Sequence, residues 1–134
     1  MTAAEDGPPW SEVDPFELPD WLGTAAVTWA SEAGLGVGHR VAGTLRGDGD
    51  RSLPCDLLAV DEAYPAPVAP VDLRRAAHQT WRRGEVCLVD CAGRLAVAVP
   101  GVSFDPARVI EAVARLARAV GAAPSSYAVL LRVG

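Results

Sequence analysis

Apolar and polar positions change period several times along this chain, and each change marks an element. Residues 85–91 and 94–100 are apolar runs joined at Ala92-Gly93, which predicts a β-hairpin. In the first run Val86 and Leu88 face one way, and Cys87, Val89 and Cys91 the other. Two apolar faces predict a strand inside a sheet with cover on each side. In the second run Leu95, Val97 and Val99 alternate with Ala96 and Ala98, giving a large face and a small one that admits a helix at close range.

Helical periodicity appears twice. In residues 71–83, Leu73, Ala76, Ala77, Thr80 and Trp81 share one arc, while Arg74, Arg75, His78, Gln79, Arg82 and Arg83 fill the opposite arc. The result is an amphipathic helix with a strongly basic outer face. The second helix opens at Asp105-Pro106 and closes at Gly121, with a carboxylate N-cap, a first-turn proline and a terminal glycine. Its polar stripe of Arg108, Glu111, Arg115 and Arg118 is narrow. One sheet face cannot bury so wide an apolar arc, so the arm, the first helix or another subunit must touch it as well.

Three further strands are read between residues 24 and 63: 25–30, 40–46 and 53–60, joined by glycine-rich turns at 34–38 and 47–50. Hairpin-like links in succession favour an antiparallel meander. Residues 64–70, with proline at every second or third position, read as an extended crossover into the first helix. Residues 126–133 read as a last strand. The expected fold is a single α+β domain over 24–134, in the order βββαββαβ. It has an antiparallel sheet of five or six strands with two helices packed on one face.

Composition changes the picture at the N-terminus. The chain has 134 residues and a net charge of −5, yet residues 1–20 hold six acids and no base. The rest, with eleven acids and twelve arginines, is close to neutral. Residues 1–23 thus form an acidic arm, its helices broken by Pro8, Pro9, Pro15 and Pro19. Trp10, Phe16, Leu18 and Trp21 are spaced through it as anchors, with residues 16–22 expected to pack on the body and residues 1–9 to be mobile. The arm either caps its own core or docks on a partner or second copy. Its acidity disfavours nucleic-acid binding, which rests on neutralising phosphates. No apolar run is long enough for a membrane span, and no secretory signal is read, so a cytoplasmic protein is expected.

The chain contains no lysine, which excludes Schiff-base chemistry and a P-loop. The 34–38 glycines lack the helix that a dinucleotide fingerprint needs. Cys87 and Cys91 sit about 13 Å apart along a strand at roughly 3.3 Å per residue, too far to pair with each other. Cys55 can still meet either across strands. No cysteine and histidine fall at zinc-ligand spacing. Neither metal nor cofactor is expected, and Asp56, Asp61, Glu62 and Asp90 show no spacing diagnostic of acid–base work. The clearest surface feature is the basic helix face of Arg74, Arg75, His78, Arg82 and Arg83. It is a solvated face or a site for an anion or acidic peptide, and the arm at 1–20 is its natural ligand, within a subunit or between two.

The order of arm, three strands, helix, two strands and helix, with Gly93-Arg94-Leu95 in the hairpin and Asp105-Pro106 opening the last helix, resembles the YbjN family and its relatives with the type III secretion chaperone-like fold. The resemblance covers residues 24–121 and implies a small, acidic, often dimeric, non-enzymatic protein that binds other proteins. Residues 53–133 alone also fit a ferredoxin-like split βαβ with an extra hairpin in front. Three functions follow in order of preference. The first is a protein-binding or chaperone-like module, homodimeric through the second helix. The others are a small enzyme or redox protein using a cysteine with His39 or His78, and a sensor with an apolar pocket between helices and sheet.

Overall fold

The computed structural model describes residues 10–35, 39–63 and 66–132. The expectations placed on residues 1–9, on Gly36–Gly38 of the first turn, and on Tyr64, Pro65 and Val133 lie outside those residues. The elements in chain order are β1 (Trp10–Glu12), α1 (Trp21–Thr24), β2 (Val27–Ser31), β3 (Arg40–Val41), β4 (Gly43–Arg46), β5 (Ser52–Ala59), β6 (Glu62–Ala63), β7 (Ala66–Pro67), α2 (Val71–Arg82), β8 (Cys87–Cys91), β9 (Arg94–Val99), α3 (Pro106–Ala119) and β10 (Tyr127–Leu130).

Eight strands form one mixed sheet in the order β1-β8-β9-β5-β4-β2-β10, with β3 also on β5. The antiparallel meander is present as β2, β4 and β5. The hairpin of β8 and β9 is present too, its turn made by Ala92 and Gly93, both at positive φ. The sheet is nevertheless wider than the expected five or six strands, and it is not wholly antiparallel. β9 lies parallel to β5, and β10 parallel to β2. The cause is the helical crossovers. β8 spends the return from α2, so β9 runs in the direction of β5, and α3 brings the chain back for β10 to run beside β2. This parallel pairing and the width also remove the ferredoxin-like alternative.

The two long helices, α2 and α3, lie on opposite faces of the sheet, not on one, and the short α1 is a third helix. The alternation in β9 decides this. Its small face, Ala96 and Ala98, joins Cys87, Val89, Cys91 and Leu58 beneath Leu73 and Ala77 of α2. Its large face, Leu95, Val97 and Val99, joins Leu57, Leu88 and Trp29 beneath Val109, Val113 and Leu116 of α3. Both faces of β8 and β9 are therefore buried, which stabilises by about 1.5–3 kcal/mol for each large side chain removed from water.

The wide apolar arc of α3 is covered within the chain. Leu18, Trp21 and Leu22 from the arm, and Trp81 from the end of α2, join the same cluster. Arg115 of α3 stacks over the Trp81 ring at 3.6 Å and donates to the Trp81 carbonyl. Of its large apolar residues only Ile110 remains more than half exposed. Asp105 caps the helix by accepting from the Arg108 N–H at 2.8 Å.

The arm divides its residues between the faces. Trp10, on the edge strand β1, packs on the α2 side, while Leu18 and Trp21 pack on the α3 side. Phe16 is not an anchor: it is 95% exposed. Asp14 accepts from the Phe16 N–H at 3.0 Å, and Pro15 opens a 3-10 turn over Pro15–Glu17 that holds Phe16 at its tip.

Candidate functional site

The densest polar cluster among the described residues gathers on Asp56, an acid whose spacing in the sequence marks no site. It starts with a wedge. The indole of Trp29 on β2 reaches across Gly43 and donates from Nε1 to the Cys55 carbonyl at 2.8 Å. A Cβ at Gly43 would lie 2.7 Å from that Nε1, so only glycine leaves room. Ala59 N–H donates to His39 O, which makes the odd-numbered residues of the strand before β5 its hydrogen-bonded partners. Gly43 should accordingly bond to Cys55, but the ladder breaks after Val41 with Leu57 and resumes only at Thr44 with Pro54. The freed Gly43 N–H donates to Asp56 Oδ1 at 3.2 Å, and its carbonyl accepts from Arg94 at 3.2 Å.

Asp56 has no exposed surface, so its charge requires partners. Arg40 gives it bonds from Nε at 3.1 Å and Nη2 at 2.5 Å. Arg94 gives it bonds from Nε at 3.1 Å and Nη2 at 2.8 Å. Glu32 completes the cluster, accepting from Arg94 at 3.2 Å and from the Thr44 hydroxyl at 2.6 Å. Burial pushes the Asp56 pKa up, but the hydrogen bonds from Arg94, Arg40 and Gly43 outweigh it, and the value ends below the usual carboxylate range. The Thr44 hydrogen bond, with help from Arg94, likewise lowers Glu32. Two carboxylates thus balance two guanidiniums. The Asp56 carboxylate, ionised and ringed by donors, is poorly placed to accept a proton, so the cluster ties β3, β5 and β9 together and is not poised for acid–base catalysis. One signal for it existed in the sequence: Asp56 is a lone acid inside an apolar strand, where burial and pairing follow from its neighbours.

The five residues of the basic helix face do not converge. Arg82 and Arg83 are exposed at the C-terminal end of α2 and line a shallow groove with Gln79. Arg74 and Arg75 sit about 12 Å away along the axis, at 1.5 Å per residue. Arg74 donates to the Ala69 carbonyl at 3.1 Å, and Arg75 lies 4.0 Å from Asp72. His78 contacts Asp61 at 2.9 Å, and Asp61 also accepts from the Gly101 N–H at 2.6 Å. That pair fastens α2 to the ends of β5 and β9. The four guanidiniums are strung along the helix and do not gather at one point.

All three cysteines are buried and unpaired. Burial drives the Cys55 thiol far up and the Cys87 thiol to about 11. Neither histidine hydrogen-bonds to a cysteine among the described residues, and no group there holds enough acids, histidines and cysteines for a metal. The groove beside Trp10, Leu73 and Val89, about 270 Å³, is open rather than an enclosed apolar pocket. Among the described residues no helix is long and apolar enough to cross a membrane. Comparisons with family models, with curated proteins and with solved structures find no match.

Proposed function

We propose that this chain is a non-enzymatic protein-binding module that associates with a second copy of itself, the acidic arm of each docking on the basic face of α2 of the other. One observation carries this reading. Within a single chain, among the described residues, no arm carboxylate pairs with Arg74, Arg75, Arg82 or Arg83. The arm acids Glu12, Asp14, Glu17 and Asp20 are all exposed, and Phe16 stands bare among them. A rigidly held aromatic rimmed by charge has the make-up of a binding hot spot, and the complementary surface exists in the same sequence. Reciprocal docking gives a closed two-fold pair.

The reading also draws on the resemblance that the order of strands and helices in the sequence bears to the YbjN and type III secretion chaperone-like proteins. The burial of all three thiols weighs against the cysteine-chemistry alternative, and their free state suits a reducing, cytoplasmic location. The apolar face of α3, covered by the arm and Trp81, gives dimerisation through that helix no driving force.

Sedimentation velocity at low and high ionic strength tests the proposal. Association that weakens with salt, and is lost in an Arg75→Glu, Arg82→Glu, Arg83→Glu variant, is the expected result. A monomer at low salt refutes it.

A further inference from the structure

The helix α2 packs on β8 and β9 and stops there. On the same face, no helix among the described residues covers β4, β2 and β10; α3 meets β10 from the other side. Register lines up Thr44 with Ala30 and Leu130, and Arg46 with Thr28 and Ala128. A groove of about 360 Å³ runs over this bare half. Ala30, Leu130 and the two threonines line its middle, and register places Arg46 and Arg132 towards opposite ends.

The charge in this groove is unbalanced. Glu32, the only acid among the described residues that line it, is already engaged by Arg94 and Thr44. Neither Arg46 nor Arg132 has an ion-pair partner among the described residues. The backbone that presents Arg132 is pinned: its N–H donates to the buried Ser31 hydroxyl at 2.9 Å, and its carbonyl accepts from Leu35 at 3.0 Å. The Asp56 network holds the Glu32 and Thr44 side of the groove through Arg94. The groove is therefore a fixed, net cationic trough with an apolar middle.

We propose that it binds a small organic dianion, with one anionic head on Arg46, the other on Arg132, and a short apolar span on Ala30 and Leu130. The two arginines arise about four residues apart along the strands and two strands apart across them. That puts their Cα atoms roughly 16 Å apart, at about 3.3 Å per residue and 4.8 Å per strand. Turned inward by roughly a third of this each, the two side chains would leave a gap that suits heads separated by three to five atoms, gripped by charge-assisted bonds. Carboxylate and phosphate heads share this chemistry.

Titration calorimetry on the full chain tests the site, with glutarate, a three-carbon phosphocarboxylate and acetate as probes. The expected result is that a two-headed probe binds at least about tenfold tighter than acetate, and that Arg46→Gln and Arg132→Gln each weaken it by about tenfold. The tighter of the two dianions identifies the head group. Arg118→Gln, on the far helix, should leave binding unchanged. The proposal is overturned if neither dianion outbinds acetate, or if R118Q weakens binding as much as R46Q. Self-association through the arm plays no part in this readout.

Discussion

Replacing Asp56 by Asn tests the charged cluster most sharply. The side chain keeps its shape and can still accept from the Gly43 N–H, but it loses the charge that holds Arg40 and Arg94. Breaking a buried ion pair costs about 3–5 kcal/mol. Here the carboxylate is buried but the guanidiniums are 35% and 34% exposed, so water recovers part of the loss. We expect about 2–3 kcal/mol, or a melting point lower by roughly 6–12 °C for a domain of this size. Urea unfolding followed by tryptophan fluorescence reads it. The pH dependence supplies the sign. The folded pKa of Asp56 lies below its unfolded value, so its contribution is complete above the unfolded value of about 3.9 and is lost as pH falls through the folded one. The gap between wild type and D56N should hold steady in the neutral range and close in strong acid. A difference under about 0.5 kcal/mol near neutrality, or one that persists unchanged in strong acid, refutes the reasoning.

Other outcomes follow from the same geometry. Gly43→Ala should cost about 3 kcal/mol by driving the Trp29 indole off the Cys55 carbonyl, seen as a shifted native fluorescence spectrum; an unshifted, stable variant contradicts the wedge. All three thiols should resist an aromatic disulfide reagent in the native protein and react together in denaturant; one fast native thiol would revive the cysteine-chemistry reading. Arg115→Ala should lower stability by about 1–2 kcal/mol and alter Trp81 emission, since both the stacking and the bond to the Trp81 carbonyl disappear.

The hairpin, both long helices and the meander were legible because each has a local cause. Ala92-Gly93 sets the turn, Asp105-Pro106 starts a helix, and the arginine face of α2 points outward for lack of any apolar partner. What periodicity cannot supply is handedness between elements. The small and large faces of β9 were read correctly, yet two apolar faces do not say which helix takes which. The parallel pairings of β9 and β10 arise from crossovers whose course depends on that choice. Phe16 was misplaced because composition marks an aromatic as an anchor, whereas a capped turn can hold it outward. Asp56 was passed over because its partners, Arg40 and Arg94, are far away in sequence and meet it only through strand register.

Charge-swapped mixing tests the proposed association most directly. One variant reverses the helix face (Arg75→Glu, Arg82→Glu, Arg83→Glu) and the other reverses the arm (Glu12→Arg, Glu17→Arg, Asp20→Arg), leaving the Asp14 cap intact. Each alone should sediment as a monomer, because its arm and helix now repel. Mixed, they should form a dimer at low salt, with opposite charges facing again at both contacts. Two monomers that ignore each other in the mixture, or either variant pairing alone as the native chain does, would contradict docking between the arm and α2.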